Sequence, residues 1–105
     1  MEPEDRDCSP TLVPDGVRVR ELPIVNRKGL HARASAKFVQ TVERYDSDVT
    51  VTRCGETVGG RSIMGLLTLG AAQGTTITVT AQGEDADACL QGLADLLANR
   101  FGEDE

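Results

Sequence analysis

Thr76-Ile77-Thr78-Val79-Thr80-Ala81 alternates without a break. In an extended chain successive side chains point to opposite sides, so Ile77, Val79 and Ala81 share one face and the threonines the other. A strand buried on both faces would read as a continuous apolar run; this one belongs to a sheet with one face on a core and one face toward water. Val49-Thr50-Val51-Thr52 repeats the pattern. Cys54-Gly55-Glu56 then makes a turn and Thr57-Val58-Gly59-Gly60 a short, glycine-weakened return strand, so a hairpin is predicted. A fourth strand is expected around Leu22 and Ile24, placed at a sheet edge by Pro23, which cannot donate to a ladder.

Three helical patterns separate these strands. Leu30, Ala34, Phe38, Val42 and Tyr45 recur every three or four residues, which predicts an amphipathic helix over residues 32–45. Ser62 stands before Ile63, Leu66, Leu67 and Leu69 as the N-cap of a short helix that ends at Gly70. Glu84 and Asp85 favour the start of a last helix, whose apolar face is Cys89, Leu90, Leu93, Leu96 and Leu97 and whose end is marked by Arg100 and Gly102. The order is β-α-β-β-α-β-α. Helices need covering on one side and the threonine faces can meet water, so the fold class is α+β: an open-faced β-sandwich, a four-stranded antiparallel sheet carrying three helices on one face.

The 105 residues make one domain with one modest core. Residues 1–16 contain Pro3, Pro10 and Pro14 with five acidic side chains and few large apolar ones, so they are expected to form a disordered tail ahead of a domain over 17–105. A net charge of −6, no tryptophan, one tyrosine and two phenylalanines leave neither a basic stripe nor a stacking platform for nucleic acid. No apolar run approaches a membrane span, and Met1-Glu2-Pro3-Glu4-Asp5 is unlike a secretory signal, so a cytoplasmic monomer without membrane insertion is expected. Cys8, Cys54 and Cys89 are odd in number and widely spaced; they read as reduced thiols, with Cys89 in the core and no metal or other cofactor implied.

The chain has a single histidine, His31, in Lys28-Gly29-Leu30-His31-Ala32-Arg33-Ala34-Ser35, where a glycine-ended loop meets the first helix. The start of a helix combines unpaired N–H groups with the positive end of the dipole, an environment suited to an anion such as phosphate. The residues alone leave two readings of this imidazole: one that carries a phosphoryl group, and an ordinary exposed histidine at a helix entry. Arg33 has the charge and fork geometry to pair with phosphoryl oxygens. Arg27 and Lys28 give the same loop positive charge despite the acidic total.

Gly29-Leu30-His31-Ala32-Arg33, an apolar helix, a serine opening a second helix at position 62, and Gly70-Ala71-Ala72-Gln73-Gly74-Thr75 together resemble the HPr family of histidine phosphocarriers over about residues 18 to 101. The run Asn99-Arg100-Phe101-Gly102-Glu103-Asp104 resembles the nitrogen-branch relative, NPr. The family resemblance implies that Nδ1 of His31 accepts a phosphoryl group from enzyme I, itself phosphorylated from phosphoenolpyruvate, and passes it to an enzyme IIA-type protein in sugar transport or nitrogen-related regulation. It implies that Ile63 and Met64 lie near the histidine in a docking surface, where the flexible thioether of Met64 suits two partners; beside them, Ala32 is small enough to let a partner approach, and the charge of Arg27 and Lys28 favours acidic partner surfaces. It also implies that Ser62 is open to phosphorylation by an HPr serine kinase. One position departs from the family. Ala34 stands where a proline is usual, which bears on how rigidly the loop holds the imidazole.

A second reading stays open from the sequence. The same face could serve a non-catalytic regulatory module that binds a partner without obligatory phosphotransfer. No second acid or base, metal cluster or nucleotide loop points to a free-standing enzyme. Covalent modification of His31 separates carrier from binder.

Overall fold

The computed structural model describes residues 16–103. Nearly all of the expected tail lies outside these residues. Four antiparallel strands form one sheet in the order β1-β4-β2-β3, with β1 Arg18–Pro23, β2 Asp48–Arg53, β3 Glu56–Gly59 and β4 Thr76–Gln82. Pro23 is on an edge strand, as its missing donor requires. The β2–β3 hairpin forms, turning through Cys54 and Gly55, both at positive φ.

The cross-strand register explains the faces. Val49 lies opposite Ala81, Val51 opposite Val79, and Leu22 opposite Ile77, so these side chains share the core side. Thr50 lies opposite Thr80 and Thr52 opposite both Thr78 and Thr57 on the other side. That side was expected to meet water throughout, yet Thr52 and Thr80 are buried. Their hydroxyls find partners across the strands, Thr80 with Thr50 and Thr52 with Thr57 at 2.8 Å, so the threonines satisfy one another instead of relying on solvent.

Strand β1 starts four residues before the alternation predicts. Arg18 and Arg20 pair with Ala81 and Val79 and therefore stand on the helix-covered side, where Arg20 reaches Gln91 at 3.4 Å and Arg18 reaches Asp87 at 3.4 Å. Their apolar stems follow the sheet while their charged ends stay at the rim, which hides the strand from a polarity pattern.

The helices are α1 Ala32–Val42, α2 Ile63–Thr68 and α3 Ala86–Ala98. Helix α1 buries Ala34, Phe38 and Val42, and α3 buries Cys89, Leu90, Leu93 and Leu97. Tyr45 falls beyond the end of α1 and packs half-buried against the core, and Leu96 is likewise half-buried. Beyond α3 a single 3-10 turn, Arg100–Gly102, reverses the chain through two left-handed residues, Arg100 and Phe101, and drives the Phe101 ring into the core. The helix end at Arg100 and Gly102 was legible; the inward phenylalanine was not.

Cys89 is a free, buried thiol, pushed up in pKa by burial. Cys54 is disulfide-bonded, which corrects the expectation of a reduced thiol there: its exposed position at the hairpin corner leaves the sulfur accessible for pairing. Cys8 lies outside the described residues.

Asp85 does more than favour a dipole. It occupies the N-cap of α3 without bonding that helix; its carboxylate accepts from the Ser47 hydroxyl at 2.5 Å and the Asp46 N–H at 2.8 Å, tying the start of β2 to the start of α3. The Ser47 hydroxyl, then the Asp46 N–H, hold its carboxyl below the usual range. A carboxyl with a lowered folded-state pKa contributes stability above the ordinary carboxylate range and loses it as acid protonates the folded form. Asp85→Ala should therefore lower the melting temperature at neutral pH, with the gap to wild type closing on acidification, as thermal melts over a pH series will show.

Candidate functional site

The site begins with a turn. Asn26-Arg27-Lys28-Gly29 closes with the Gly29 N–H on the Asn26 carbonyl at 3.2 Å, and Gly29 adopts φ +70. Leu30 is buried, and its N–H donates to the Ala71 carbonyl at 2.9 Å, fastening the loop to the segment before β4. His31 follows in extended conformation (φ −80, ψ −176) as the N-cap of α1, with its side chain making no cap bond. Its imidazole is thereby left for other work.

Ser35 is the first residue to make an intrahelical bond, its N–H donating to the His31 carbonyl at 2.8 Å. The N–H groups of Ala32, Arg33 and Ala34 have no helical acceptor and stand at the positive end of the dipole. Ala34 is fully buried at the third helical position, where it keeps an N–H that the family's usual proline would lack.

Around the ring, Arg27, Lys28, Ala32, Arg33, Lys37, Gly102 and Glu103 line one open cleft with His31. Four cations face this cleft on a chain of net charge −6, so its sign is opposite to that of the whole molecule. Arg33 is exposed, and its side chain makes no hydrogen bond or ion pair with any described residue. Lys37 donates to the Phe101 carbonyl at 2.6 Å and so ties α1 to the turn after α3. The sequence-predicted Arg27, Lys28, His31, Ala32 and Arg33 are thus brought together.

Ser62, Ile63 and Met64 stand outside the cleft, at the start of α2, which packs against α1. Ser62 is the expected N-cap, its hydroxyl accepting the Gly65 N–H at 3.0 Å. Ile63 is 40% exposed and Met64 70%, while Leu66 provides the buried contact, so neither of the first two is a core residue.

Two groups in contact escaped the sequence reading. Nε2 of His31 lies 2.5 Å from Oε2 of Glu103, and Oε1 of the same carboxylate accepts from Nδ2 of Asn26 at 3.0 Å. Asn26 is fully buried and its amide also donates to the Gly29 carbonyl at 2.8 Å. Burial pushes the Glu103 carboxyl up, but the hydrogen bonds from Asn26 and His31, with the nearby charge of Lys28, outweigh it and hold the group below its ordinary value. Asn26 carried a turn signal, Asn three residues before Gly; Glu103 sits in an acidic run with nothing to mark it.

The open-faced sandwich presents one imidazole at a helix N-terminus, inside a cationic cleft whose donors and charge suit an anionic group. The model of the PTS HPr component phosphorylation site matches residues 19–99. The phosphocarrier protein HPr of Xylella fastidiosa is 48% identical over 84 residues, 80% of this chain and 94% of that protein. That of Neisseria meningitidis serogroup A is 45% identical over 86 residues, 82% and 97%. The crystal structure of HPr-C-His from Thermoanaerobacter tengcongensis superposes with a TM-score of 0.80 at 36% identity, covering 84% of this chain and 99% of that one. The chain belongs to the HPr family of phosphocarriers of the phosphotransferase system.

Proposed function

We propose that His31 carries the phosphoryl group, taking it on Nδ1 from phosphorylated enzyme I and giving it to an enzyme IIA-type protein, in the cytoplasm, in sugar transport or nitrogen-related regulation. The observation that carries this reading is the coincidence of the single imidazole with the open N–H groups of α1 and the unengaged Arg33 guanidinium in one cationic cleft. The N–H groups and Arg33 supply donors for the oxygens of the transferring group, and positioning plus charge is most of what phosphoryl transfer asks of a protein. Incubation with phosphoenolpyruvate and enzyme I should add one phosphoryl group to the intact mass, stable to alkali and lost in mild acid. An unmodified chain in the presence of an active enzyme I would refute the carrier reading.

Partners dock, in this reading, on Ala32, Arg27 and Lys28 around the ring and on the exposed Ile63 and Met64 of α2. Ser62, next to that apolar pair, is the regulatory position for an HPr serine kinase. Aspartate is itself a good N-cap and an anion is favoured at a helix start, so Ser62→Asp should melt like the wild type. The added charge should still slow phosphoryl uptake from enzyme I by desolvation and repulsion at the docking face. Ser62→Ala should lose about 1 kcal/mol of stability through the missing cap and keep its transfer rate. Equal uptake rates for Ser62→Asp and wild type would leave Ser62 a helix cap only.

A further inference from the structure

We propose that Glu103 is a positioning residue for His31: it fixes the ring tautomer that leaves Nδ1 free to attack and faces the positive charge that forms on the ring when Nδ1 is phosphorylated. The inference rests on His31 being the acceptor.

The contact is built by the tertiary structure. Phe101, buried in the core, and the Lys37 bond to its carbonyl anchor the segment after α3, and the Glu103 N–H donates to the Arg100 carbonyl at 2.9 Å. These fix the backbone from which the Glu103 side chain reaches His31. Its other oxygen is held by Asn26, whose amide simultaneously grips the Gly29 carbonyl two residues before the histidine. One buried amide thus sets the distance between the loop and the carboxylate. The side chains of His31 and Glu103 are 28% and 17% exposed, so the pair is partly sheltered from solvent.

The chemistry follows from donor counting. A carboxylate held in its ionised form accepts hydrogen bonds and donates none, so the hydrogen in the 2.5 Å contact belongs to Nε2. In a neutral imidazole, a hydrogen on Nε2 leaves the lone pair on Nδ1. That lone pair forms the new N–P bond while the bond from phosphorus to the phosphorylated donor protein breaks and its electron pair stays with the donor. Nε2 keeps its hydrogen, and the ring becomes a phosphorylated imidazolium opposite the Glu103 carboxylate. On transfer onward the N–P electron pair returns to Nδ1 and the ring is neutral again, with no net proton moved. A carboxylate that orients a histidine in this way acts through the imidazole, as in other carboxylate–histidine pairs.

The test pairs two readouts on the full chain: ring 15N chemical shifts of His31, which report the tautomer without any donor, and uptake kinetics from phosphorylated enzyme I. In the wild type the neutral ring should carry its hydrogen on Nε2, and in Glu103→Ala it should become a tautomer mixture. Glu103→Gln and Glu103→Ala should both lower the transfer rate constant by roughly ten- to a hundredfold, the range for losing an outer hydrogen-bond partner of a metal-bound histidine, at unchanged KM for enzyme I. Glu103→Asp should recover part of the rate. Thermal melts confirm that each variant is folded. A wild-type ring carrying its hydrogen on Nδ1, or variants with wild-type rate constants, would overturn the role of Glu103. A wild type that takes up no phosphoryl group would instead overturn His31 as acceptor, while the tautomer still decides whether Glu103 positions the ring.

Discussion

His31→Ala should abolish phosphoryl uptake and leave the fold in place. The chain has no second histidine to take over, and the described residues bring no other nucleophile with a matching set of donors into the cleft. The loss should therefore be complete to the detection limit of intact mass measurement. Stability should change little, because the imidazole makes no cap bond and packs no core; what disappears is its contact with Glu103. A partly exposed pair of this kind contributes at most about 1 kcal/mol, a shift of a few degrees in a small domain. A His31→Ala chain that still gains an acid-labile phosphoryl group from enzyme I would sink the assignment of the acceptor.

Gly29→Ala should damage both stability and transfer. At φ +70 a non-glycine residue costs about 1–2 kcal/mol by its conformation alone. The added methyl would also meet the Ala71 carbonyl oxygen at 2.6 Å and the Ala72 Cα at 3.0 Å, backbone atoms that cannot swing aside as a side-chain tip does. That carbonyl is the acceptor for the Leu30 N–H, so relieving the clash breaks the bond that fastens the histidine loop to the segment before β4. The total should exceed 2 kcal/mol, which lies in the upper part of the usual range for single substitutions. Uptake by whatever fraction remains folded should also fall, since His31 is two residues away and loses its fixed position. A melting temperature equal to wild type would mean that the loop does not need the close approach seen between Gly29 and Ala71.

The two substitutions divide the site into chemistry and support. His31 and Arg33 stand out in the sequence because their chemistry is unusual for their neighbourhood: a lone imidazole and a guanidinium at the start of an amphipathic helix. Gly29 was legible as a loop end, but its contact with Ala71 joins residues more than forty positions apart, which no local pattern records.

Local pattern suffices to read the alternation of apolar and threonine side chains in β2 and β4, the helical stripes of α1 and α3, the Ser62 cap and the edge position of Pro23. Each of these depends on a side chain's relation to its own backbone or to residues a few positions away, and period and capping rules act at that range. It also placed the histidine at a helix start. Long-range packing is what shows that Arg18 and Arg20 extend β1, since their stems are apolar and their heads are not. It alone turned Phe101 into the core and so delivered Glu103 to His31, seventy-two positions away, with Asn26 holding the far oxygen. A carboxylate in an acidic run has the same local pattern whether it faces water or an imidazole. What distinguishes the two is where the rest of the chain has packed.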